Sequence, residues 1–130
     1  RDFLHYDLTS NPDATRFEEG SYNSVGLYGL HAAIELLLEI GISQIEQRVL
    51  DLTGRLIEGL RLKGYRLVTP TGESERSGIV VFLSDRYSSA ELCALLKREN
   101  VIAADRGGVR LSPHFYNSET EIDQVLDLLP

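Results

Sequence analysis

Val101-Ile102-Ala103-Ala104-Asp105-Arg106-Gly107-Gly108-Val109-Arg110-Leu111-Ser112 is the stretch on which the fold turns. Val101–Ala104 and Val109–Ser112 read as strands, and the Asp-Arg-Gly-Gly link is short enough to join them as a hairpin. Upstream, Tyr65–Val68 and Gly78–Leu83 read the same way, with Thr69-Pro70-Thr71-Gly72 opening the exposed connection between them. Helical signals surround these strands. Three Ser-x-x-Glu pairs, Ser43 with Glu46, Ser88 with Glu91 and Ser118 with Glu121, each allow a hydroxyl and a carboxylate to satisfy free amides at a helix start.

After Ser43 the apolar residues Ile45, Val49, Leu52, Leu56 and Leu60 keep one helix face buried until Gly64 stops it. Ile122, Val125, Leu126 and Leu129 follow Ser118 in the same manner, and Leu92, Leu95 and Leu96 line a shorter helix after Ser88. The segment from Ser24 to Ile40 differs. His31, Glu35 and Glu39 form a single polar stripe on an otherwise apolar cylinder, which predicts a helix covered on most sides, with Gly26, Gly29, Ala32 and Ala33 allowing close approach and Gly41 ending it. The element order predicts an α+β fold, a small, mostly antiparallel sheet covered by helices on one face.

A chain of 130 residues is the size of one domain, and 42% hydrophobic with 25% charged residues excludes a disordered tail. Val25–Ile40 is interrupted by His31, Glu35 and Glu39, so no membrane span is predicted. A net charge of −7 has the wrong sign for a nucleic-acid partner. The single cysteine, Cys93, cannot form an internal disulfide, which points to a reducing, cytoplasmic compartment. The chain has no methionine and begins Arg1-Asp2-Phe3, as a piece of a longer protein would. Residues 1–23 carry scattered polar residues without sustained periodicity and read as a connecting segment from a missing large domain, leaving 24–130 as the folded domain.

No self-contained catalytic site emerges. Cys93 has no predicted basic neighbour and reads as a structural thiol. His5, His31 and His114 match no metal-ligand spacing, so no metal site is predicted, and there is no nucleotide-binding loop. Two places could bind anions. In Val109-Arg110-Leu111-Ser112 the strand period sends Arg110 to the face opposite Val109 and Leu111, where a planar guanidinium suits a carboxylate, although an arginine on a strand is ordinarily a solvated surface residue. In Arg16-Phe17-Glu18-Glu19-Gly20-Ser21-Tyr22-Asn23, Gly20 permits close backbone approach and Ser21 offers a hydroxyl just before a helix start, which suits a phosphate; the plainer reading is a capping loop.

Ala14-Thr15-Arg16-Phe17-Glu18-Glu19-Gly20-Ser21-Tyr22-Asn23, followed by a Gly-rich helix and Ile40-Gly41-Ile42-Ser43-Gln44-Ile45, resembles the carboxy-terminal part of class V aminotransferases. So does Gly107-Gly108-Val109-Arg110-Leu111-Ser112-Pro113-His114-Phe115-Tyr116-Asn117-Ser118. That family includes cysteine desulfurases, kynureninases and isopenicillin N epimerase-like proteins, which use pyridoxal 5'-phosphate on the type I fold. The resemblance implies that Arg110 grips the α-carboxylate of an amino-acid substrate and that Gly20 and Ser21 reach the cofactor phosphate of the partner subunit in a homodimer. It further implies that Arg16 and Glu18 hold their loop and that Asn117 and Ser118 position the last helix.

The sequence departs from the family in two places. Cysteine desulfurases carry their catalytic cysteine on a loop that here is reduced to Arg106-Gly107-Gly108, and Cys93 lies earlier, in a helix; the short link resembles the kynureninase and epimerase-like branches. The only lysines, Lys63 and Lys97, sit on amphipathic helices and read as exposed, whereas a Schiff-base lysine must be desolvated. The expectation is therefore the carboxy-terminal small domain of a pyridoxal-phosphate enzyme of transaminase, lyase or epimerase type. This chain then contains no catalytic residue, is inactive alone and does not hold the cofactor covalently. The alternative is a stand-alone α+β regulatory or interaction domain.

Overall fold

The computed structural model describes residues 4, 9–18, 20–72 and 74–130. The chain divides into two compact units, Arg1–Leu36 and Leu37–Pro130. In the first, a single helical turn at Ala14–Phe17 is capped by the Asp13 carboxylate, which accepts from the Thr15 amide at 3.0 Å. Helix α1, Ser24–Ile40, begins here; Asn23 Oδ1 accepts from the Gly26 amide at 3.0 Å, an N-cap missed in the sequence. The predicted span of α1 is observed, but its predicted cover is not: none of its residues is buried, and Val25 and Tyr28 are at least 80% exposed.

The second unit holds α2 (Ile42–Leu62), β1 (Arg66–Leu67), β2 (Val80–Leu83), α3 (Ser89–Arg98), β3 (Ala104–Asp105), β4 (Val109–Leu111) and α4 (Glu119–Leu128). The four strands form one sheet in the order β1-β2-β4-β3, with every pairing antiparallel. The predicted α+β class is thus observed, including the hairpin of β3 and β4, whose turn is closed by the Arg106 amide donating to the Gly108 carbonyl oxygen at 2.9 Å.

Alternation along the strands sorts the residues cleanly. Val80, Phe82, Val109 and Leu111 are buried on the face met by α2, α3 and α4, while Val81, Leu83 and Arg110 lie on the other face, half-buried. Leu52, Leu56, Ile57 and Leu60 of α2, Leu92 and Leu96 of α3, and Ile122 of α4 complete the core. Thr53 is fully buried on α2, its hydroxyl satisfied by the Val49 carbonyl oxygen at 2.9 Å.

Local chemistry explains where the expected boundaries shift. Ser88 and Ser118 form the capping boxes expected of them. Ser43 does not, because α2 starts two residues earlier than that cap would set it, at Ile42, with Gly41 in the N-cap position, leaving Ser43 inside the helix. Three strands also start late: β2 at Val80 rather than Gly78 and, for a shared reason, β1 and β3. The Tyr65 amide donates back to the Leu60 carbonyl oxygen at 3.0 Å and the Val101 amide to that of Leu96 at 2.9 Å. These are Schellman closures of α2 and α3, and they take the amides a ladder would need. β3 consequently begins at Ala104 rather than Val101, and Ile102 is 95% exposed.

Two ion pairs clamp α4 to α2. Arg48 binds the Glu119 carboxylate, and Arg55 grips Asp123 in a bidentate pair of 2.6 and 2.7 Å. The hydrogen bond from Arg48 holds the Glu119 carboxyl at about 2, against 4.5 ordinarily, and that from Arg55 lowers Asp123. A carboxyl depressed in the folded state stabilises fully above its unfolded value and loses that contribution as pH falls towards the folded one. The thermal midpoint is therefore expected to be level from about pH 7 to 5 and to decline between about pH 5 and 2. An Arg48→Met/Arg55→Met variant is expected to melt lower at neutral pH and to show a shallower acid limb; equal acid slopes in the two proteins would remove these pairs from the account.

Candidate functional site

Arg110 projects from β4, an interior strand, on the face away from the helices, as the strand period predicts. Its cross-strand neighbours are Val81 on β2 and Ala104 on β3. Arg110 is half-buried, and its guanidinium forms no hydrogen bond or ion pair with any described residue. The contrast with Arg48 and Arg55, each matched to an acid, matters in a chain of net charge −7. A planar fork of donors beside Val81 and Ala104 is available for an external carboxylate, and the partly desolvated setting strengthens such a pair.

The chain leaving β4 is held rigidly. Asn117 Oδ1 accepts from the His114 amide at 2.8 Å, and Ser118 caps α4, as the resemblance implies for these two residues. Arg48 adds a contact that sequence reading missed, donating to the Asn117 carbonyl oxygen at 2.8 Å across 69 positions of sequence. No local pattern marks such a pair. His114 and Tyr116 stack with ring centroids 4.4 Å apart, and Phe115 packs edge-on to Tyr116.

Below this loop lies an open groove of about 780 Å³, lined by Val101, Ser112, His114, Tyr116, Gln124 and Leu128 among others. It also touches the core residues Leu56, Leu111 and Ile122, so it opens on the helical side of the sheet. Arg110 faces the other way and does not line it.

Gly20 and Ser21 belong to the first unit. Gly20 has φ 76°, and a Cβ built on it would meet nothing within 4 Å, so the backbone is open to close approach. The exposed Ser21 hydroxyl has no described hydrogen-bond partner. Nearby, Tyr22 donates its hydroxyl to Glu18 Oε2 at 2.8 Å, while Arg16 lies 5.1 Å from the Phe17 ring centroid. Glu18 thus holds its loop by a charge-assisted bond, as the resemblance implies, whereas Arg16 forms no hydrogen bond with a described residue and only lies over the ring of its neighbour Phe17. Glu19 lies outside the described residues.

Other candidates are closed off. Cys93 is half-buried against the core, and its thiol is pushed up by burial first and then by Asp105, the opposite of what a reactive thiolate needs. Lys97 is exposed on α3; Lys63, also exposed, donates its ammonium to the Leu129 carbonyl oxygen at 2.7 Å. No group of three metal-ligating side chains occurs among the described residues, and His5 lies outside them. Among the described residues no single helix is long and apolar enough to cross a membrane.

The sequence model described as Aminotransferase class-V matches residues 2–125. An uncharacterized aminotransferase of Bacillus subtilis, YcbU, is 35% identical over 115 residues, covering 88% of this chain and 30% of that protein. A kynureninase of Shouchella clausii is 28% identical over 131 residues, covering 97% and 30%. Among solved structures, the apo cysteine desulfurase of Thermococcus onnurineus NA1 superposes with a TM-score of 0.83 at 27% identity, covering 98% of this chain and 35% of that one. The chain spans about a third of the length of the curated relatives it matches.

Proposed function

Because the chain belongs to the class V aminotransferase family, we propose that it is the carboxy-terminal part of a pyridoxal-phosphate enzyme acting on an amino acid, and that Arg110 binds the α-carboxylate of that substrate. The observation that carries this reading is Arg110 itself, a half-buried residue on the free face of the sheet whose guanidinium has no acid partner among the described residues. In this reading residues 24–130 form the small domain and residues 1–23 the connection to a preceding large domain.

Pyridoxal phosphate, when bound, supplies an electron sink for charge developing at the substrate α-carbon. This chain's contribution is binding and orientation. Arg110 fixes the carboxylate in one plane by two parallel N–H···O bonds and so sets which bond at the α-carbon is aligned for reaction. Gly20 and Ser21 offer a backbone amide and a hydroxyl to the phosphate, and the family resemblance assigns that phosphate to the partner subunit of a homodimer. Neither lysine fits the cofactor's carbonyl carbon, since both are exposed and an amine nucleophile at neutral pH must be desolvated. The reading therefore gives the reactive lysine to the large domain and predicts an inactive 130-residue chain. With Cys93 half-buried and its thiol kept protonated, transaminase, lyase or epimerase chemistry is favoured over sulfur transfer by this chain.

In the full-length protein, Arg110→Gln is expected to weaken amino-acid binding by about 1.5–3 kcal/mol, roughly ten- to a hundredfold in KM, with the melting temperature unchanged. A KM equal to that of the parent protein would refute the carboxylate role.

A further inference from the structure

The register of the sheet places a second unpaired arginine on the face that carries Arg110. Arg66 pairs with Leu83 across β1 and β2, Leu83 and Val81 alternate to the same face, and Val81 pairs with Arg110 across β2 and β4. Leu67, next to Arg66, pairs with Phe82 and packs against the core, which fixes Arg66 to the free face. Like Arg110, Arg66 forms no ion pair or hydrogen bond with a described residue. The floor between the two is Val81 and Leu83, apolar and half-buried.

We propose that Arg66 is a specificity-determining residue that selects amino acids with a second carboxylate on the side chain. This rests on the assignment of Arg110 to the α-carboxylate. Two strand spacings of about 4.8 Å and a two-residue offset of about 6.6 Å place the two Cα atoms about 12 Å apart. With each guanidinium meeting its carboxylate at an N···O distance of about 2.8 Å, an amino diacid of aspartate or glutamate size fits between two extended arginine side chains. The apolar floor suits the methylenes of such a substrate, with half-buried Arg110 at its inner end and Arg66, exposed on the edge strand, at its rim. A monocarboxylic amino acid would engage Arg110 and leave Arg66 in water.

The test is an NMR titration of the full-length protein, labelled at arginine, with L-glutamate and with L-alanine, repeated for Arg66→Gln and Arg110→Gln. The Nε–Hε signals of both arginines are expected to move with L-glutamate, and only that of Arg110 with L-alanine. Arg66→Gln is expected to weaken L-glutamate about tenfold and leave L-alanine unchanged, whereas Arg110→Gln removes both. If Arg66→Gln leaves the preference for glutamate over alanine intact while Arg110→Gln abolishes binding, the diacid inference fails and the α-carboxylate reading stands. If Arg110→Gln changes neither ligand, that reading fails and the inference falls with it. An unchanged Arg66 signal at saturating L-glutamate overturns the inference alone.

Discussion

Phe82→Ala is expected to lower the thermal midpoint of the chain by roughly 12–40 °C, taking about 4–8 °C per kcal/mol for a unit of this size. Phe82 is fully buried in β2, with α2 packed across that strand, and its ring meets Tyr65 edge-on at 5.1 Å and 74°. Removing it forfeits the transfer energy of the ring and leaves a cavity that strands on either side cannot close, about 3–5 kcal/mol. Domains of this kind have about 5–15 kcal/mol in total, so one side chain accounts for a large fraction. Tyr65 loses its partner as well, although its hydroxyl keeps the Pro130 carbonyl oxygen at 2.7 Å. Circular dichroism melts decide the matter: a drop below about 5 °C, or one no larger than that of Phe82→Leu, would mean that the core is centred elsewhere.

The second large effect is Gly108→Val, expected to cost about 3 kcal/mol or more. Gly108 has φ 148°, which side chains rarely adopt, and a Cβ there would sit 2.7 Å from the Phe82 carbonyl oxygen and 2.9 Å from Val81 Cγ1. The first obstacle is backbone in the β2–β4 ladder, so relief requires the strands to part. Gly107→Ala is the control. Gly107 has φ 70° with open space about its Cβ position, and only the conformational cost of about 1–2 kcal/mol remains. Urea unfolding of the two variants should separate them clearly, and equal midpoints would remove the special role of Gly108.

The sequence carried the fold through periodicity and caps. The alternation of Val109, Arg110 and Leu111 was sufficient to place Arg110 opposite the core, and the Ser88 and Ser118 boxes set two helix starts. What it could not carry was any arrangement made by backbone amides after a helix ends. Val101 has the side chain of a strand residue, yet its amide closes α3, so the strand begins later. Ser43 shows the converse: its motif is complete, but the chain turns at Gly41 before the hydroxyl can act. At the candidate site, Arg110 was legible from strand period and family resemblance together, whereas the Arg48 bond to Asn117 joins distant residues and leaves no trace in either neighbourhood. Arg66 became visible only through the register Arg66↔Leu83, which no reading of β1 alone supplies.

The strand order β1-β2-β4-β3 bears on how the molecule comes together in time. Two of its three ladders join strands that are neighbours in sequence and can zip locally; the third, β2 to β4, must close a loop containing the whole of α3 and β3. Loop-closure entropy makes that central seam the slow step. Nucleation is accordingly expected where the seam forms, so substitutions at Val80 and Val109 should slow refolding, while those at Leu67 or Ala104 should mainly speed unfolding. Arg110 sits on that seam, and its position on the free face is set only once the last ladder has formed.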